Sequence, residues 1–201
     1  MMWAQDYTYA GPASGMPLLL TAGMPATHPK HPTPITTGQL RFLAFATSYG
    51  VLRGHNISAR LHAQGAISSA PNLQAAFTNL TGAGIDTLAA SLRTSDGTLN
   101  VQLSLLTKLV TFYDPARFNP CDSFSMRGLA AWCPTYTPRG TYQDFCTEVN
   151  NVLAGPLGTA IQTYLVVNAV CLPKTTTTVA FQRRMLDIYL MLEGGRWKPP
   201  L

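Results

Sequence analysis

The clearest pattern in the chain is a line of apolar residues at Leu99, Leu103, Leu106, Val110 and Tyr113, stepping by 4, 3, 4 and 3. Those steps follow the turn of an α-helix and predict an amphipathic helix over 98–113, stopped at Asp114-Pro115. Upstream, Leu40, Leu43, Thr47 and Val51, widened by Phe42, Phe45 and Tyr49, predict a helix that starts at Thr36. Gly50 and Gly54 weaken its far end, and residues 57–62 continue the helical text. Leu73, Ala76, Phe77 and Leu80 mark a further helix over 71–80, with Gly82-Ala83-Gly84 read as its stop and a short helix over 85–92 after it. Past Thr141 the apolar line is Phe145, Val149 and Val152, broken at Gly155-Pro156 and resumed by Leu157, Ile161, Tyr164 and Leu165 as far as Leu172. The threonines at 175–178 supply a cap for a last helix carrying Phe181, Met185, Ile188 and Leu192, which Gly194-Gly195 ends.

Two stretches carry no such period. Residues 1–35 hold six of the fifteen prolines and predict an extended arm, anchored by Met2, Trp3, Tyr7, Tyr9 and the leucines at 18–20. Such an arm lies across a neighbouring subunit or wraps its own domain. Residues 114–141 read as an irregular, packed connector with room for a short strand pair, punctuated by Pro115, Pro120, Pro134 and Pro138. The expected organisation is an arm over 1–35, a helical domain over 36–193 and a tail over 194–201. The expected fold is all-α, a four-helix-bundle-like core with shorter helices added.

Charge changes the picture. Only 11% of the 201 residues are charged, less than half the roughly 25% usual in soluble domains. So few charges leave much of the surface weakly solvated, which suits a membrane protein or a subunit of an assembly. A spanning helix needs about 20 apolar residues in a row; the best run, 161–172, is shorter and carries Gln162, Thr163 and Asn168. The expectation is therefore a subunit with no membrane partner. No signal peptide is expected at the N-terminus, so the four cysteines are expected to be thiols. Net charge is +5, and ten of the fourteen bases are arginine. Arginine favours bidentate phosphate recognition and interface ion pairs, so a polyanion held at a few points fits, as does an ordinary basic protein.

Catalytic chemistry is hard to find. Cys121, Cys133, Cys146 and Cys171 are separated by 11, 12 and 24 intervening residues and match no common zinc spacing. There is no Gly-rich phosphate loop, no His-Glu-x-x-His and no Gly-x-Ser-x-Gly. His55 and His62 share a helix face if that helix persists, and are read as exposed or partner-facing. The expectation is a non-enzymatic chain with no cofactor and no metal; an enzyme using Cys146 or His62 is the outlying alternative. The strongest polar feature is Arg183-Arg184-x-x-Asp187, with the two guanidiniums near a helix start. It reads as a phosphate site with Asp187 orienting an arginine or accepting from a ribose hydroxyl, or as an intrahelical salt bridge worth about 0.2–0.5 kcal/mol.

From Thr98 onward the chain resembles the coat proteins of rod-shaped plant RNA viruses, the tobamovirus-like group. The likeness rests on a helix ending at Tyr113, the segment Asp114-Pro115-Ala116-Arg117-Phe118-Asn119-Pro120-Cys121-Asp122-Ser123-Phe124, a further helix, a threonine-rich loop and the Arg183-Arg184-Met185-Leu186-Asp187 motif. Asn119 splits Arg-Phe from proline, Leu186 replaces an aspartate of the family motif, and about 70 N-terminal residues exceed the usual length. The resemblance implies a coat subunit that assembles with identical copies into a helical rod or filament around single-stranded RNA, found in the virion and the host cytoplasm. It implies RNA-binding roles for Arg184 and Asp187, with Arg183 and Arg117 as further candidates. The other reading is a helical structural subunit of a larger complex that binds protein and not nucleic acid.

Overall fold

In a computed structural model, the described residues are 24–28, 31–48, 56–68, 81–91, 103–138, 140–168 and 178–195. They begin with an antiparallel hairpin of β1 (Pro25–His28) and β2 (His31–Thr36), in which Pro25 faces Thr36, Ala26 faces Ile35 and His28 faces His31, with an irregularity between Ala26 and His28. The C-terminal part of the predicted arm is thus a folded ribbon. Residues 1–23 of that arm, the predicted helix over 71–80, the threonines at 175–177 and the tail over 196–201 lie outside the described residues.

Eight helices follow among the described residues, and the fold is all-α, with no strand described beyond the hairpin. They are α1 (Thr37–Ser48), α2 (Ile57–Ser68), α3 (Gly82–Ser91), α4 (Leu103–Tyr113), α5 (Ser123–Trp132), α6 (Tyr142–Ala154), α7 (Pro156–Val167) and α8 (Thr178–Glu193). They run from 10 to 16 residues, so no set of four stands out by length. Helix α4 is the centre. Seven of its eleven residues are buried, among them Leu105, Leu106, Leu109 and Val110, and Phe112 meets Phe45 of α1 edge-on at 5.4 Å. One continuous apolar core joins these to Phe42, Ile67, Ile85, Leu129, Phe145, Ile161 and Leu190.

The helix starts show why the chain turns where it does. Thr36 and Gln39 cap α1 reciprocally, the Gln39 N–H donating to Thr36 Oγ1 at 3.2 Å and the Thr36 N–H to Gln39 Oε1 at 2.8 Å. Asn56 caps α2 through Oδ1, which accepts from the Ala59 N–H at 2.8 Å. Thr141 and Asp144 form the capping box of α6, and those hydrogen bonds hold the Asp144 carboxyl below its ordinary range. Gly155 and Pro156 separate α6 from α7, with proline in the first turn of α7. At the end of α8, Gly195 adopts φ 85°, a left-handed C-terminal stop.

Two elements differ from the sequence reading. The connector over 114–141 is irregular only at its ends; its middle is α5, and it contains no strand among the described residues. The helix over 71–80, expected to stop at Gly82-Ala83-Gly84, lies outside the described residues, but α3 starts at Gly82, three residues before the expected Ile85, and so takes in glycines 82 and 84. They lie in the first turn of α3, where Thr81 Oγ1 accepts from the Gly84 N–H at 3.1 Å. A Cβ on Gly82 would lie 2.7 Å from the Cα of Gln143, so this glycine marks close backbone approach to α6. There the two helix starts clasp each other. Asp86 of α3 accepts from the N–H groups of Tyr142 and Gln143 at 2.9 and 3.1 Å, while Gln143 Oε1 accepts from the Ala83 N–H at 3.0 Å.

Candidate functional site

The sequence-predicted residues Arg117, Arg183, Arg184 and Asp187 lie on the turn after α4 and on α8. The fold brings these segments together through Arg183. Its Nε donates to the Ala116 carbonyl at 2.7 Å, Nη1 to Asn119 Oδ1 at 2.8 Å and Nη2 to Asn150 Oδ1 of α6 at 2.6 Å. Asn119 returns a bond, Nδ2 donating to the Arg183 carbonyl at 2.9 Å, and its own carbonyl accepts from the buried Tyr142 hydroxyl at 2.7 Å. Arg183 therefore ties the turn, α6 and α8 into one junction. Partial burial pulls the Arg183 guanidinium below its ordinary range, opposed by Cys146, Tyr142 and Asp114.

Arg184 and Asp187 bind each other, Nη1 to Oδ2, one helical turn apart. Asp187 is only 2% exposed, so for its carboxylate to accept directly from a ribose hydroxyl the helix face would have to be uncovered. Arg184 keeps a fifth of its side chain at the surface. Arg117 is the exposed member, its guanidinium 4.7 Å above the Phe118 ring and 3.8 Å from Asp114.

Burial raises the Asp187 carboxyl from 3.8 to about 6; Arg184 opposes that shift, Asp122 adds to it and Lys108 opposes it. Lys108 lies 3.8 Å from Asp122, the N-cap of α5, so these charges form one cluster between α4, α5 and α8. Because the folded pKa exceeds the unfolded one, the native state takes up a proton first as pH falls. The Asp187 contribution to stability is complete below about pH 4 and is lost as pH rises through about 6. Between pH 7 and pH 5 this group should add about 1 kcal/mol. Urea unfolding of the wild type and Asp187→Asn at both pH values should show that difference between the two proteins, and parallel pH dependences would refute it.

The three described cysteines are thiols. Cys121, Cys133 and Cys146 are free, and Cys171 lies outside the described residues. Burial pushes Cys146 up to about 11, against the Tyr142 hydrogen bond and Arg183, so little thiolate is present near neutrality. Burial likewise raises Cys121. Among the described residues no group of three or more His, Cys, Asp or Glu is arranged to hold a metal ion, and no helix is long and apolar enough to cross a membrane. His62 is exposed on α2; His55 lies outside the described residues.

Sequence reasoning passed over Asn119 and Asn150, the acceptors that hold Arg183, and Asp86. Lone asparagines carry no spacing signal. Asp122-x-x-Ser125 did carry one, since Asp122 accepts from the Ser125 N–H at 3.0 Å while Ser125 Oγ accepts from the Asp122 N–H at 2.9 Å, a capping box marking the start of α5.

A second feature is an uncharged surface. Between Glu148 and Lys174 the chain holds no Asp, Glu, Lys or Arg. On α7 this leaves Tyr164, Val166 and Val167 exposed at 55%, 66% and 75%, beside the exposed Thr159, Gln162 and Thr163. No protein-family model matches the chain, and no curated protein or solved structure matches it either.

Proposed function

We propose that this chain is a structural coat subunit that assembles with identical copies into a helical rod or filament and packages single-stranded RNA. The observation that carries the reading is the charge-free α7 surface with Tyr164, Val166 and Val167 exposed. Apolar side chains at that exposure favour burial against a neighbour, and a surface without charge meets its own copy without repulsion. The turn bearing Arg117 and the helix bearing Arg184 lie together through Arg183, which is consistent with one RNA-facing locus. Contacts there would be mainly to the sugar–phosphate backbone, because a coat must accept any base sequence.

Purified protein should form large helical particles visible by negative stain. Val166→Glu with Val167→Lys should leave helicity unchanged while shifting the sedimenting species to subunits. Particles of unaltered size from that variant would sink the α7 contact, and a monodisperse wild-type monomer at high concentration would sink assembly itself.

The second reading is a structural subunit of a protein complex without nucleic acid. It is favoured by the internal engagement of Arg183 and of the Arg184–Asp187 pair. Absorbance of purified particles at 260 and 280 nm distinguishes them, since RNA-filled particles read well above protein alone.

A further inference from the structure

We draw no further inference here: the strongest candidate, the surface patch around the Trp132–Tyr189 pair at the α5–α8 seam, carries nothing because nothing in the structure shows what covers it.

Discussion

Replacing Arg183 by methionine should lower the stability of the folded chain by about 3 kcal/mol, with Arg183→Lys recovering less than half of the loss. The guanidinium makes three hydrogen bonds to three different partners, Ala116, Asn119 and Asn150. Bonds to a charged group contribute about 1.5–3 kcal/mol each, and a buried acceptor left unmatched adds its own cost. Asn119 is 3% exposed, so its Oδ1 has little access to water once Arg183 is gone. Methionine keeps the aliphatic stem and removes the donors. Lysine keeps the charge but not the planar fork that spans partners on two sides. Urea unfolding measures the loss. Should the midpoint stay fixed while RNA binding disappears, Arg183 acts at the nucleic acid and not as a junction.

Gly128→Ala should cost at least as much, about 3 kcal/mol or roughly 10 °C of thermal midpoint for a chain of this size. A methyl group at Gly128 would collide with the carbonyl of Leu190 on α8, and one at Gly194 would collide with the carbonyl of Phe124 on α5. Overfilling a core usually costs about 1–3 kcal/mol, because side chains shift to make room. Here the obstacle is main chain at two places along the α5–α8 seam, which places the cost at the upper end. Trp132 and Tyr189, 5.9 Å apart, flank the same seam. An unchanged melting temperature for Gly128→Ala would mean that the two helices do not approach each other this closely.

That seam also explains why α5 was hard to read from the sequence. Its buried positions are Ser125, Gly128 and Leu129, at helical spacing but with only one large apolar residue among them. A search for hydrophobic periodicity finds helices that bury large side chains and passes over one that buries backbone. Helix α4 was legible for the opposite reason, since leucine and valine fill its buried face. The start of α6 and the stop of α8 were legible because Thr141 and the Gly194-Gly195 pair act through local backbone chemistry. The start of α3 was misplaced by three residues because a glycine near a helix start and one past a helix end look alike in sequence. Only the proximity of Gln143, 61 residues from Gly82, distinguishes them.

The candidate site was legible to the same depth. The spacing of Arg184 and Asp187 predicted a contact, and they make one. Which acceptors Arg183 would find depended on the turn over 114–122 folding back on α8, and no local pattern specifies that. The burial that raises the Asp187 carboxyl comes from the core packed around α8 and has no signature in the local sequence.

The clasp between Asp86 and the start of α6 has a consequence for how the protein comes apart. Amide hydrogens in the first turn of an isolated helix exchange readily, because nothing within the helix accepts them. Here those of Tyr142 and Gln143 are held by a residue 56 and 57 positions away, and that of Ala83 is held in return. Neither helix start can fray without releasing the other. The first turns of α3 and α6, joined by three hydrogen bonds, should therefore open and close as a single cooperative unit, which equal exchange rates for these three amides would show.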